Sequence, residues 1–338
     1  MSRYLSIAVV AFALALWGFN TSLFSRFPEG SAPRLLAHRG QHQTFDRAGL
    51  KDDSCTATRI HPPEHPFLEN TIPSMQAASD AGADVVELDV HLTPDGKFAV
   101  FHDWTLDCRT ETAGVTEETP MARLKQLDIG YGYTFDNGKT HPFRSKGVGL
   151  MPTLSEVFDA LPERQFLINF KSRREEEGAA LAEMLNANPA YRNAAFGVYG
   201  GGEPTEAAIA GVPGLRGYTR QSAKSCLLDY LTLGWSGHVP ASCRDTLVPV
   251  PINYAFLLWG WPAKFYQRMQ AAGSEVILMG AYSSGDAGSA GIDDQTDWSK
   301  VPPGFPGFIW TNRIEKAGML AKASGFCTQR TTGPLCAQ

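Results

Sequence analysis

Apolar positions along the chain fall into brief runs separated by longer stretches of helical period, and this alternation sets the expected architecture. The runs Leu35 to His38, Val85 to Val90, Phe166 to Lys171, Ala195 to Tyr199, Leu215 to Tyr218, Leu247 to Ile252, Glu275 to Met279 and Phe308 to Thr311 have the length and composition of buried strands. Helix signals lie between them. Ile72 to Ala81 follows a capping Thr71, has Pro73 in its first turn and stops at Gly82. Thr153-Leu-Ser-Glu156 reads as a capping box opening a helix towards Leu161. Trp261 to Ala272 and Ile314 to Ser324 read as the last two helices. Eight strands alternating with helices predict an α/β fold, a (β/α)8 TIM-type barrel whose catalytic groups sit at the carboxyl ends of the strands. An open doubly wound sheet is the alternative, because strand order is not readable from one sequence.

The segment Val85 to Asp103 interrupts this rhythm. Thr93-Pro-Asp-Gly96 supplies a hairpin turn, whereas a parallel neighbour needs a crossover of a dozen or more residues. The arm Phe98 to Asp103 is therefore predicted to return antiparallel beside the second strand as an extra hairpin arm. Three long irregular segments, Gln41 to Leu68, Thr105 to Met151 and Tyr282 to Trp298, are candidates for mobile lids, the first two as long loops over the catalytic face.

At the N-terminus Arg3 precedes an uncharged run from Tyr4 to Phe24, which as a helix would rise about 30 Å, close to a bilayer's hydrocarbon thickness. Residues 1–26 thus read as a membrane anchor or a cleaved signal peptide, and 27–338 as one domain that either reading exports. The remaining composition is that of a globular protein: 338 residues, 43% hydrophobic, 19% charged, with no repeat or charge run. A net charge of −5 gives no general affinity for nucleic acid, so phosphate chemistry needs a local positive site. No protein partner is implied. Six cysteines in an exported chain suit disulfides. Proximity in sequence suggests Cys226 with Cys243 and Cys327 with Cys336, leaving Cys55 with Cys108, one of about 15 connectivities.

Candidate chemistry gathers at the strand ends. Leu35-Leu-Ala-His-Arg-Gly40 delivers His38 and Arg39 where a glycine permits a sharp exit, and a guanidinium fork suits a phosphate oxygen pair. Glu87 and Asp89, two apart on a strand, share one face and repel unless a cation or a shared proton intervenes; oxygen donors favour Mg²⁺ or Ca²⁺. The hairpin would bring His102 to roughly the level of Glu87. Asn169 and Lys171 share a face at the end of another strand. A divalent cation, Arg39 and Lys171 would form a cationic cup around one phosphate, with two histidines to move protons. His61 and His65 are read as polar loop residues rather than metal ligands.

This constellation resembles the glycerophosphodiester phosphodiesterase family. The likeness rests on His38-Arg39-Gly40, Glu69-Asn70-Thr71, Glu87-Leu88-Asp89-Val90, Thr93-Pro94-Asp95-Gly96, His102-Asp103, Met151-Pro152-Thr153-Leu154 and Lys171, in that family's order. It implies a metal-dependent phosphodiesterase on a TIM-type barrel that splits glycerophosphodiesters, or lysophospholipid-type diesters, into glycerol 3-phosphate and an alcohol. By resemblance His38 and His102 are the acid and base pair, Glu87 and Asp89 metal ligands, Arg39 and Lys171 phosphate holders, and Glu69 a residue near the metal or the glycerol end. The resemblance leaves open attack by a substrate hydroxyl, through a cyclic phosphate, or by water. Three departures stand out. Asn169 occupies the place where the family usually has a third acidic ligand, and its amide oxygen would have to serve. A long insertion follows Gly40. The last strand reads Trp310-Thr-Asn-Arg313 where the family commonly has Thr-Asp-x-Pro. A non-catalytic binder of phosphodiester head groups and a phospholipase D-like cyclising relative are the alternative functions.

Overall fold

The computed structural model describes residues 2–51, 53–283 and 288–324, except for the side chains of residues 2 and 3. Among the described residues nine strands are formed: β1 Arg34–Ala37, β2 Val85–Leu92, β3 Phe98–Val100, β4 Gln165–Phe170, β5 Ala195–Gly200, β6 Gly217–Thr219, β7 Leu247–Pro251, β8 Glu275–Met279 and β9 Phe308–Thr311. Eight run parallel in the order β6-β5-β4-β2-β1-β9-β8-β7, and β3 pairs antiparallel with β2. The sheet curls into a nearly closed TIM-type barrel. Between its first and last strands a side-chain bond from Thr246 Oγ1 to the Gly217 carbonyl (2.6 Å) spans the seam. β6 starts two residues later than the apolar run predicts, because Leu215 N still closes a turn onto the Val212 carbonyl.

Helices cover the outside, starting where the sequence places caps. Thr71 and Thr153 each form a reciprocal capping box, with Ser74 and Glu156, at the heads of Ile72–Asp80 and Leu154–Ala160. The later helices Ala263–Ala271 and Ile314–Ala323 fill the predicted places, the first starting after Trp261-Pro262. The barrel interior is filled by Leu36, Val85, Leu167, Phe196, Phe308 and Trp310, all buried. A larger cluster seals the helices to the outer face.

The long segments after β1 and β3 are not open loops. They pack on each other around Phe45, Ile60, Leu106, Leu127, Ile129 and Phe143 as a second core, and the Cys55–Cys108 disulfide ties them together. A cap with its own apolar interior is a rigid wall rather than a mobile lid. Cys226 and Cys243 form the other disulfide among the described residues; Cys327 and Cys336 lie outside them.

The N-terminal helix Ser2–Asn20 stands largely clear of the barrel, with Leu5, Ile7, Val10, Phe12 and Leu14 exposed. Among the described residues no helix is long and apolar enough to cross a membrane.

Candidate active site

β1 ends at Ala37, and the backbone then turns sharply through left-handed conformations at Arg39 (φ 56°) and Gly40 (φ 75°). Only glycine fits at position 40, where a Cβ would lie 2.9 Å from the backbone carbonyl carbon of Ser74. Arg39 accepts its unfavourable φ because its N–H donates to Glu87 Oε2 (2.9 Å) and its carbonyl accepts from Asn70 N (3.1 Å). Asn70 is itself left-handed at φ 58° and clips β2 through two bonds, Nδ2 to Asp89 Oδ2 (2.8 Å) and Asp89 N to its own Oδ1 (3.0 Å). The Glu69-Asn70 pair thus joins the cap to the acidic face of β2.

That face carries Glu87 and Asp89, both fully buried. Asp89 is saturated with donors: Asn70 and Asn169 Nδ2 (2.8 Å each), Arg39 Nε (3.3 Å) and Lys171 Nζ (3.7 Å). Burial opposes its ionisation, but Arg39 and Lys171 outweigh that cost and hold its carboxyl below the usual range. Glu87 accepts from the Tyr199 hydroxyl (2.7 Å) and Arg39 N, and its Oε2 lies 3.8 Å from His38 Nε2. Burial and the neighbouring Asp89 push its pKa up to about 8.

The two histidines flank this pair with different supports. His38 Nδ1 bonds Asn312 Oδ1 (2.7 Å), while Arg39 Nε donates to its Nε2 (3.1 Å). Asn312 is fixed in turn by Asp293, which accepts from its Nδ2 (2.9 Å) and its backbone N (2.6 Å). The hairpin register, Val90 opposite Val100, brings His102 alongside the acids. Its Nδ1 bonds Asp103 Oδ1 (2.6 Å), and Asp103 Oδ2 accepts from Arg109 Nε (2.8 Å). Burial, reinforced by Arg39, holds both imidazoles well below their usual pKa, so both are neutral at neutral pH. His102 differs in having a carboxylate behind it, which stabilises the imidazolium formed when Nε2 takes a proton.

The remaining predicted residues are brought to the same place. Glu69 Oε1 is shared by Arg39 Nη1 (3.0 Å) and Arg109 Nη2 (3.2 Å), and these guanidiniums hold the Glu69 carboxyl ionised despite its burial. Lys171 lies under the Trp104 ring (4.8 Å), and Trp104 Nε1 donates to the Lys171 carbonyl (2.7 Å). Asn169 presents its amide nitrogen to Asp89, with its oxygen against Gly200, so in this orientation it is a donor rather than the oxygen ligand the sequence suggests. His61 is confined to the cap surface beside Thr44, and His65 binds Gln43 and the His42 carbonyl.

The sequence reading misses Arg109, Asn312, Asp293 and Tyr199. Arg109 is the most consequential, a buried cation bonded to Asp103, Glu69, Thr56 and Tyr133. It lies in the middle of an irregular segment, and nothing in its local spacing marks it. His42 and His91 are also buried at the edge of the site, His42 with ring nitrogens that find no hydrogen-bond partner.

Among the described residues no group of three or more His, Cys, Asp or Glu side chains is arranged to hold a metal ion. The donor chemistry nonetheless fits a hard divalent cation. Glu87, Asp89 and Glu69 offer the carboxylate oxygens such an ion takes; here Asp89 is engaged by Asn70, Asn169, Arg39 and Lys171, and Glu69 by Arg39 and Arg109.

Residues 38–194 match the glycerophosphoryl diester phosphodiesterase family model. Glycerophosphodiester phosphodiesterases of Caldanaerobacter subterraneus and Bacillus altitudinis are 36% and 33% identical over 105 and 106 residues, covering 30% and 31% of this chain. The chain spans only 39% and 40% of the length of these relatives. A glycerophosphoryl diester phosphodiesterase domain from Mycobacterium tuberculosis superposes with a TM-score of 0.58 at 17% identity, covering 87% of this chain and 99% of that one. An Oleispira antarctica phosphodiesterase, solved with its product sn-glycerol-3-phosphate, gives 0.51 at 18% identity over 87% and 96%. At these identities the structural likeness speaks for the barrel, while the family match spans every predicted site residue. Residues 38–194, which hold every predicted site residue, are thus similar to the glycerophosphoryl diester phosphodiesterase family.

Proposed function

We propose that the chain hydrolyses glycerophosphodiesters, including lysophospholipid-type diesters, to glycerol 3-phosphate and an alcohol. The observation that carries this reading is the pair of buried, neutral imidazoles, His38 and His102, beside one acidic pair and the cations Arg39 and Lys171. A diester phosphate entering here would draw Arg39 and Lys171 from Asp89 onto its own oxygens. Glu87, Asp89 and Glu69 would then be the residues to hold a divalent ion, Mg²⁺ or Ca²⁺, which when bound adds charge compensation at the phosphate. His102, backed by Asp103, takes the proton of the attacking hydroxyl or water. His38 is backed by an amide, and burial beside Arg39 makes its protonated form a strong acid; it returns a proton to the leaving oxygen. The negative charge of the bound diester raises the population of that form.

The location we propose is outside the reducing cytosol, with the apolar N-terminal helix seated in lipid; the two disulfides support that compartment. Hydrolysis of glycerophosphocholine and lysophosphatidylcholine, with Mg²⁺ or Ca²⁺ and with chelator, tests the activity. Loss in His38→Ala and His102→Ala with retention in His61→Ala is expected. Unchanged turnover in both site variants would refute it. Phosphorus NMR of the products distinguishes a cyclic phosphate from direct water attack.

A further inference from the structure

The foot of the N-terminal helix is held against the barrel by specific polar contacts. Asn20 Nδ2 donates to the Trp235 carbonyl (2.8 Å), and Arg268 Nη1 donates to Asn20 Oδ1 (3.0 Å). Ser22 Oγ donates to the Gly260 carbonyl (2.6 Å) and accepts from Ala263 N (3.1 Å). Lys264 Nζ reaches the Phe19 carbonyl (2.6 Å), one of the carbonyls left over at a helix end. These contacts fix where the helix leaves the barrel.

Three segments converge at this junction, residues 18–25, 233–243 and 252–263, and none contains an acidic residue. They expose Phe24, Leu233, Trp235, Tyr254, Phe256 and Leu257, with Phe256 at 72%. Arg26, Arg244 and Lys264 lie at the margins. Exposed large apolar side chains carried by segments that are bonded to one another, as Asn20 to Trp235, Ser22 to Gly260 and Trp259 to Leu231, mark an interaction site. Trp, Tyr and Phe with the flanking cations Arg26, Arg244 and Lys264 suit the headgroup level of an anionic bilayer, with Asp229, bonded to Ser242, and Asp245 at the same margin. Continuity with the helix selects lipid over a second copy of the chain. The exposed Leu5, Ile7, Val9, Val10, Phe12 and Leu14 lie on all sides of the helix rather than along one stripe, as lipid immersion requires and a single protein contact does not.

We propose that this collar is a membrane-interface footprint through which the barrel lies against an anionic lipid surface, in addition to the helix itself. The inference rests on the seating of the N-terminal helix in lipid. Residues 252–257 begin at the carboxyl end of β7, the same end of the barrel that carries His38 and Lys171. This part of the collar faces the catalytic end, while residues 18–25 and 233–243 precede the amino ends of β1 and β7.

The test uses the full chain with an environment-sensitive fluorescent amino acid at position 256 or, as a control, at exposed Val148 in the segment after β3. Samples are mixed with phosphatidylcholine–phosphatidylglycerol vesicles carrying brominated acyl chains. Emission at position 256 should fall about twofold on vesicle binding while position 148 is unchanged, as for side chains buried at the headgroup–acyl boundary. A chain that sediments with vesicles but shows no quenching at 256 overturns the footprint and leaves the helix seating intact. A chain that fails to sediment overturns both. An emission change at 256 that follows protein concentration without lipid assigns the collar to self-association and overturns the footprint.

Discussion

Replacing Asp103 with Asn probes the distinction between the two histidines. Asp103 accepts from His102 Nδ1 at 2.6 Å and from Arg109 Nε at 2.8 Å, so its charge serves a neutral imidazole and a permanent cation together. An amide of the same shape keeps the packing but removes the charge that stabilises the protonated imidazole. A charge-assisted hydrogen bond contributes about 1.5–3 kcal/mol, which corresponds to roughly a 10- to 150-fold loss in kcat. The His102 pKa is already depressed by burial beside Arg39, and losing the carboxylate depresses it further. The ascending limb of the pH–rate profile should therefore move to lower pH while its plateau falls, since a weaker base is deprotonated sooner but accepts less well. Arg109 keeps Glu69, Thr56 and Tyr133, so the fold should survive, which a melting curve checks. An unchanged limb with an unchanged plateau in Asp103→Asn would refute the assignment of His102 as the proton acceptor.

Three further outcomes follow from the geometry. Cys55→Ser with Cys108→Ser removes a cross-link between residues 53 apart, costing about 4 kcal/mol by loop-closure entropy; urea melts should show this, and activity should fall because Arg109 follows Cys108 directly. Gly40→Ala forces a Cβ to 2.6 Å from Ser74 Oγ at a φ of 75°. It should destabilise by about 2–4 kcal/mol through strain and overpacking and raise KM by displacing Arg39, measured by melts and steady-state kinetics. Glu87, raised from 4.5 to about 8, binds its proton more tightly in the folded chain. Its contribution to stability is complete below pH about 4.5 and is lost as pH rises through about 8. Metal-free Glu87→Gln should therefore lose stability less steeply than the parent over that range in denaturant titrations, and parallel curves would show that Glu87 ionises freely.

Local chemistry made some features legible in advance. The capping boxes at Thr71 and Thr153 write helix starts into three or four consecutive residues, and the short apolar runs place the strand ends to within one residue, at Ala37 and Phe170 rather than His38 and Lys171. The pairing of acids on β2 is likewise local, because alternate residues of a strand share a face. Boundaries slipped where tertiary hydrogen bonding decided them, as at β6, where a turn bond at Leu215 outlasts the apolar pattern.

Side-chain partners were harder to read. Whether Asn169 turns its oxygen or its nitrogen to Asp89 depends on the competing donors Asn70, Arg39 and Lys171, which come from three other parts of the chain. Arg109 reaches the site because two irregular segments collapse on a shared apolar core and are tied by a disulfide.

By itself the sequence determined the βα alternation, the acidic strand face and the placing of His38 and His102 at strand ends, since each is encoded within a few neighbouring residues. The tertiary structure alone decided which group stands behind each histidine, a carboxylate for His102 and an amide for His38. The Asn312 amide lies 274 residues from His38 along the chain. Burial then dominates the titration of both rings: desolvation, reinforced by the Arg39 guanidinium, holds each imidazole below its usual pKa whichever group stands behind it.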